Sequence, residues 1–139
     1  MNAKAIILDA NILIRAVLGQ RVRELILASG SSVRFFAPDV AYADARKYLP
    51  ALLTKRGVDP AAAMSVLDCL ESIVHPLGLD MYAGMRRQAL LRIAKRDADD
   101  WPVPACAMAL GCPVWTEDAD FFGTGVATWT SDRIALCLA

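Results

Sequence analysis

The chain has 139 residues, enough for one domain with a substantial core and no need of a disulfide or metal in order to fold. Hydrophobic residues make up 56% and charged residues 22%, which excludes intrinsic disorder and predicts a heavily buried interior with apolar surface to spare for a partner. Fifteen basic and fifteen acidic side chains cancel, so no global field attracts the protein to nucleic acid or membrane, and any polyanion site must be local.

Ala5-Ile6-Ile7-Leu8 is a continuous apolar run, the mark of a strand buried on both faces, and it stops at Asp9. Asn11 to Val17 starts a helix and Arg21 to Ala28 continues as an amphipathic one. Val33-Arg34-Phe35-Phe36-Ala37 reads as a second strand closed by Pro38. A long helix follows from Asp39 to Arg56, ended by Gly57. Pro60 opens a helix over 61–74, with proline in the first turn where it is tolerated. His75 and Pro76 fall in a loop, and Met81 to Lys95 is a further helix. After an acidic loop over 96–100 comes a small-residue helix from Pro102 to Leu110, stopped by Gly111. Cys112 to Thr116 is a third strand and Val126 to Trp129 a short fourth. Apolar strands alternating with helices imply a parallel sheet covered on both faces. The longest uncharged run, 101–116, holds three prolines and is too short to span a membrane. The N-terminus lacks a signal-peptide pattern.

The balance within each sign is informative. The acids are twelve Asp and three Glu, the bases eleven Arg and four Lys, and His75 is the lone histidine. Multi-His metal sites are excluded, and Cys69, Cys106, Cys112 and Cys137 contain no C-x-x-C pair for zinc. The four cysteines stand among apolar neighbours and read as buried free thiols in a reducing cytoplasmic setting. Carboxylates and arginines are the tools that remain.

In a parallel α/β sheet, sites form at the carboxyl ends of the strands. Asp9 follows the first strand, and Asp118 and Asp120 follow the third. Asp100 opens the helix that leads into the third strand, and Asp44 lies early in the helix after the second. Asp9, Asp44, Asp100 and Asp118 can therefore meet at one place. Such a group repels itself unless a cation sits in it, and oxygen ligands without His or Cys select Mg²⁺ or Mn²⁺. Each acid also has a plain structural use. Asp9 can cap a helix, Asp118 and Asp120 can form a turn, and Asp44 can be an exposed helical acid. Among Asp97, Asp99 and Asp100, Asp99 is the expected cap.

Leu8-Asp9-Ala10-Asn11-Ile12-Leu13 resembles the opening motif of PIN domains, nucleases that include VapC-type toxins. The tail resembles them too: Asp100, an Ala-rich helix to Gly111, then Pro113 to Thr116 and Glu117-Asp118-Ala119-Asp120-Phe121. In the middle, Pro38 to Asp44 aligns with a segment where the family usually has Glu, and Asp44 is one methylene shorter. The resemblance covers essentially residues 1–139 as a single domain and implies a three-layer α/β/α fold with a mainly parallel sheet. It implies Mg²⁺ or Mn²⁺ at Asp9, Asp100 and Asp118, with Asp44 completing the site and Asn11, Thr116 and Asp120 supporting it. It further implies an endoribonuclease that cleaves RNA by metal-activated water, a homodimer, and an antitoxin protein as partner.

A nuclease must also hold a polyanion. Arg86, Arg87 and Arg92, with Lys95 and Arg96, precede the acidic loop and are candidates for phosphate contact, as are Arg15, Arg21 and Arg23 beyond the first strand. The apolar segments 61–70 and 134–138 are candidate association surfaces. Two alternatives stand beside the nuclease. One is a PIN-fold binding module with a degenerate site, suggested by Asp44. The other is a receiver-like signalling domain, disfavoured because no Lys follows Lys95.

Overall fold

The structure is a computed structural model and describes residues 4–93 and 95–139. Its elements in chain order are β1 (Lys4–Leu8), α1 (Ala10–Leu18), α2 (Gln20–Ser29), β2 (Val33–Pro38), α3 (Asp39–Lys55), α4 (Pro60–Leu70) and β3 (Val74–Leu77). There follow α5 (Leu79–Tyr82), a 3-10 turn (Ala83–Met85), α6 (Arg86–Ile93), a 3-10 turn (Ala98–Asp100), α7 (Pro102–Leu110), β4 (Val114–Trp115), a 3-10 turn (Ala119–Phe121), β5 (Thr128–Trp129) and α8 (Ile134–Leu138). The five strands form one sheet in the order β3-β2-β1-β4-β5, and every pairing is parallel.

The period-2 alternation of the strands divides the core in two. Ile6, Leu8, Phe35, Ala37 and Trp115 point into one layer, packed on α1, α2, α3, α4 and α8. Ile7, Phe36 and Val114 point into the other, against Tyr82 of α5, Ala89 and Ile93 of α6, and Val103 to Ala107 of α7. This is the three-layer α/β/α arrangement expected for a PIN-like fold. β1 sits at the centre with Ile6, Ile7 and Leu8 fully buried, which is why its apolar run has no polar interruption.

The elements differ from the sequence expectation in three places. The helix expected over 61–74 ends at Leu70, and Val74-His75-Pro76-Leu77 is an edge strand. An edge tolerates proline because one of its sides needs no ladder donor. His75 is exposed there, its ring 6.0 Å from that of Phe36. The helix expected over 81–95 starts earlier, at Leu79, and is broken by the Ala83–Met85 turn; residue 94 lies outside the described residues. Of the four cysteines, Cys106 alone is buried, Cys112 and Cys137 are half-buried, and Cys69 is exposed on α4. Among the described residues, no helix is long and apolar enough to cross a membrane.

Candidate metal centre

β1 and β4 are hydrogen-bonded neighbours, with Ile7 opposite Val114 and Leu8 opposite Trp115. Their carboxyl ends therefore deliver Asp9 and Thr116 side by side. The Asp9 carboxylate accepts from its own helix start at Ala10 N (2.7 Å), from Asn11 Nδ2 (3.1 Å) and from the Thr116 hydroxyl (2.9 Å). Thr116 is fully buried, and its Oγ1 in turn accepts from Asn11 Nδ2 (3.3 Å) and Asp118 N (3.0 Å). Asn11 closes the ring by accepting from Glu117 N (3.2 Å) through its side-chain oxygen. Asp9 thus caps α1, the plain structural use read from the sequence.

Asp118 opens the Ala119–Phe121 turn by accepting from Asp120 N (2.9 Å), which turns the carboxylates of Asp118 and Asp120 the same way. Asp100 ends the preceding 3-10 turn, one residue before Trp101 leads into α7. Oxygens of Asp100, Asp118 and Asp120 lie within 4.8 Å of one another. The cap of the Ala98–Asp100 turn is Asp97, which accepts from Asp99 N, and not Asp99 as the sequence suggested. A cap must sit one residue ahead of the turn it closes, and the turn begins at Ala98.

The electrostatics tie Asp9 to this group. Burial pushes the Asp100 carboxyl up to about 7, and the charges of Asp97, Asp9, Asp118 and Asp120 add to the rise. The Asp9 carboxyl is also raised, by burial first. The bonds from Thr116 and Ala10 oppose that rise, while Asp118 and Asp44 reinforce it. Asp44 is exposed in the second turn of α3, and its charge reaches Asp9. Acids held together and partly dehydrated, with no His or Cys among them, make a donor set that fits a hard divalent cation. Asp120, read as a support, is one of the three clustered carboxylates; the Asp-x-Asp spacing across a one-residue turn was the signal for it.

The candidate phosphate-binding arginines fall in different settings. Arg86 lies over the Trp101 ring, 5.3 Å from its centroid, and Trp101 in turn packs against Tyr82 at 5.6 Å. Arg87 is exposed and lines an open groove with Leu90, Leu91 and Lys95. Arg92 donates to Thr124 O (3.1 Å) and holds the loop after the acid turn. Arg23 donates to the carbonyls of Ala16 and Val17 at the end of α1.

A PIN domain family model matches residues 7–139. No curated protein matches the chain by sequence. Among solved structures, VapBC from Salmonella typhimurium bound to DNA superposes with a TM-score of 0.65 at 18% identity, covering 94% of this chain and 99% of the other. VapBC2 from Rickettsia felis, bound to a DNA fragment from its promoter, gives 0.64 at 15% identity over 91% and 98%. FitAcB from Neisseria gonorrhoeae gives 0.59 at 21% identity over 91% and 97%. These likenesses concern the fold. The family match runs from the middle of β1, two residues ahead of Asp9, through every clustered acid to Ala139, and on that ground the chain belongs to the PIN domain family.

Proposed function

We propose that this chain is a metal-dependent endoribonuclease and the toxin of a toxin–antitoxin pair. The observation that carries the proposal is the convergence of Asp100, Asp118 and Asp120 beside Asp9 at the carboxyl edge of a PIN-domain sheet. Asp9, Asp100 and Asp118 would hold Mg²⁺ or Mn²⁺, with Asp120 beside them and Asp44 at the rim. When bound, such an ion supplies the positive charge that draws in a phosphodiester and eases the loss of a proton from water. The chain's own part is preorganisation. Thr116 and Asn11 hold the Asp9 carboxylate, and the turn after Asp118 fixes the second wall before substrate arrives.

The VapBC complexes among the structural neighbours support an antitoxin as partner. A basic segment of it would insert an Arg or Lys among the carboxylates and so block the metal. RNA as substrate, a homodimer and a cytoplasmic setting belong to the same reading. The test is cleavage of a single-stranded RNA by purified protein with Mg²⁺ or Mn²⁺. Asp9→Asn and Asp100→Asn should each lower the rate by about 10²-fold or more. Full activity in either variant, or in excess EDTA, overturns the proposal. The shorter Asp44 in place of the family's Glu favours a second reading, a binding module without catalysis. Under that reading Asp44→Glu confers no activity.

A further inference from the structure

A second site lies beside the acid cluster and carries the opposite charge. A cleft of about 530 Å³ is lined by Arg15 of α1, Arg21 of α2, Arg56 at the end of α3, Glu117 and Asp132. All three arginines are exposed, and none forms an ion pair among the described residues, where the salt bridges join Arg46 to Asp68 and Glu71. The two acids of the cleft are held by local donors. Glu117 Oε1 accepts from Ser131 N at 2.6 Å, and Asp132 accepts from the Thr130 hydroxyl. Asp132 is further held low by Arg133 and Arg21, so Arg21 is shared, and the cleft keeps three guanidinium groups against two carboxylates.

The sequence alone grouped Arg15 and Arg21 with Arg23. The folded chain separates them, since Arg23 is spent on the carbonyls of α1, and substitutes Arg56, which lies more than thirty positions further on. Three guanidinium groups brought together from three elements outnumber the two carboxylates of the cleft and leave it able to take an anion.

The position of the cleft selects the anion. Glu117 lines it, and its neighbours on either side, Thr116 and Asp118, belong to the acid network. Arg15 stands four residues after Asn11 on α1, or about 6 Å along the helix. The cleft therefore adjoins the acid network along the chain, through Glu117 and α1. We infer that Arg15, Arg21 and Arg56 form a phosphate subsite that grips the backbone of a single-stranded RNA next to the phosphodiester facing Asp9 and Asp100. This rests on the nuclease reading for the identity of the strand and goes beyond it in assigning where the strand runs: over the ends of α1 and α3 rather than along α6. Guanidinium groups suit the task because their forks pair with two phosphate oxygens at once.

The experiment is binding of a fluorescein-labelled single-stranded RNA in EDTA, followed by anisotropy at several salt concentrations. No cleavage is needed, so the readout is independent of catalysis. Arg15→Ala and Arg56→Ala should each weaken binding about 3–10-fold at low salt, and the slope of log K against log salt should fall by about 0.7 for each phosphate that is no longer neutralised. Arg15→Lys should recover part of the affinity. If Arg15→Ala, Arg21→Ala and Arg56→Ala all bind within twofold of wild type, or if only Arg86→Ala and Arg87→Ala weaken binding, the subsite is wrong. An acidic peptide that binds with the same arginine dependence while RNA binding ignores these residues would also overturn it. RNA binding that follows the three arginines in a protein that never cleaves would remove the nuclease reading and leave the subsite standing.

Discussion

The hydroxyl of Thr116 donates to Asp9 and accepts from Asn11 and from the Asp118 backbone, which uses its full hydrogen-bonding capacity at a side chain without solvent exposure. Thr116→Val keeps the shape and deletes all three bonds, so it should cost about 1–3 kcal/mol in urea denaturation and weaken Mn²⁺ binding in calorimetry. Thr116→Ser should restore most of both, and a Val variant as stable as wild type would contradict this account. Asp100 and Asp9 make a different case, because their carboxyls titrate higher in the folded chain than in the unfolded one. The folded state then binds more protons, so the contribution of Asp100 is full below about pH 4 and is lost as the pH rises through about 7, and that of Asp9 falls with rising pH in the same direction. In EDTA the melting temperature should fall between pH 5 and 8, and Mn²⁺ should remove much of that fall. Asp100→Asn should flatten the profile and raise the melting point at pH 8 by about 2–5 °C, corresponding to roughly 1 kcal/mol once solvent screening of a half-exposed carboxyl is allowed for. A melting point that climbs with pH equally in both proteins would refute the assignment.

Among the elements, those whose sequence carries one signal were legible and those with mixed signals were not. β1 is apolar throughout, and α7 runs from Pro102 to a left-handed Gly111 (φ 64°), a start and a stop that coincide with the structure. β3 was missed because four residues containing His75 and Pro76 have neither alternation nor length, and only pairing with β2 makes them a strand. The acids after β1 and β4 were legible because strand ends fix where a side chain goes. The assembly of Arg15, Arg21 and Arg56 was not, since no local pattern relates the ends of three helices. The loop after β4 shows the same dependence on tertiary packing. Gly125 has φ 85°, and a Cβ there would lie 1.9 Å from Arg92 Nη1, the group that donates to Thr124 O. Gly125→Ala should therefore destabilise the fold by about 1–2 kcal/mol through its backbone strain, measurable as a lower urea midpoint. An unchanged midpoint would mean that the loop relaxes freely.

Across the whole molecule, exposed apolar surface extends beyond the two segments the sequence suggested. Ala63, Leu67 and Leu70 of α4 are buried, and of the 134–138 tail only Leu136 stands out, at 68% exposure. Other large exposed apolar side chains include Leu27 on α2, Tyr48 and Leu52 on α3, Leu79 and Met81 on α5, and Leu91 on α6. If the protein pairs with itself, one of these faces should supply most of the roughly 1,000 Å² that a stable dimer buries. Sedimentation of the wild type at tens of micromolar should give a dimer, and Leu91→Glu or Leu52→Glu should shift it to monomer. A wild type that sediments as a monomer would return these residues to ordinary surface. The strand order β3-β2-β1-β4-β5 also sets a timetable for synthesis. A chain leaving the ribosome can pair β1, β2 and β3 early, with Asp9 already in position, but Asp118 and Asp120 follow Asp9 by more than 100 residues. A chain interrupted before Val114 has no strand to bring those two acids beside Asp100. A chain that stops before Val114 therefore carries only Asp100 of the three clustered acids, and the proposed metal pocket forms only after synthesis has passed Asp120.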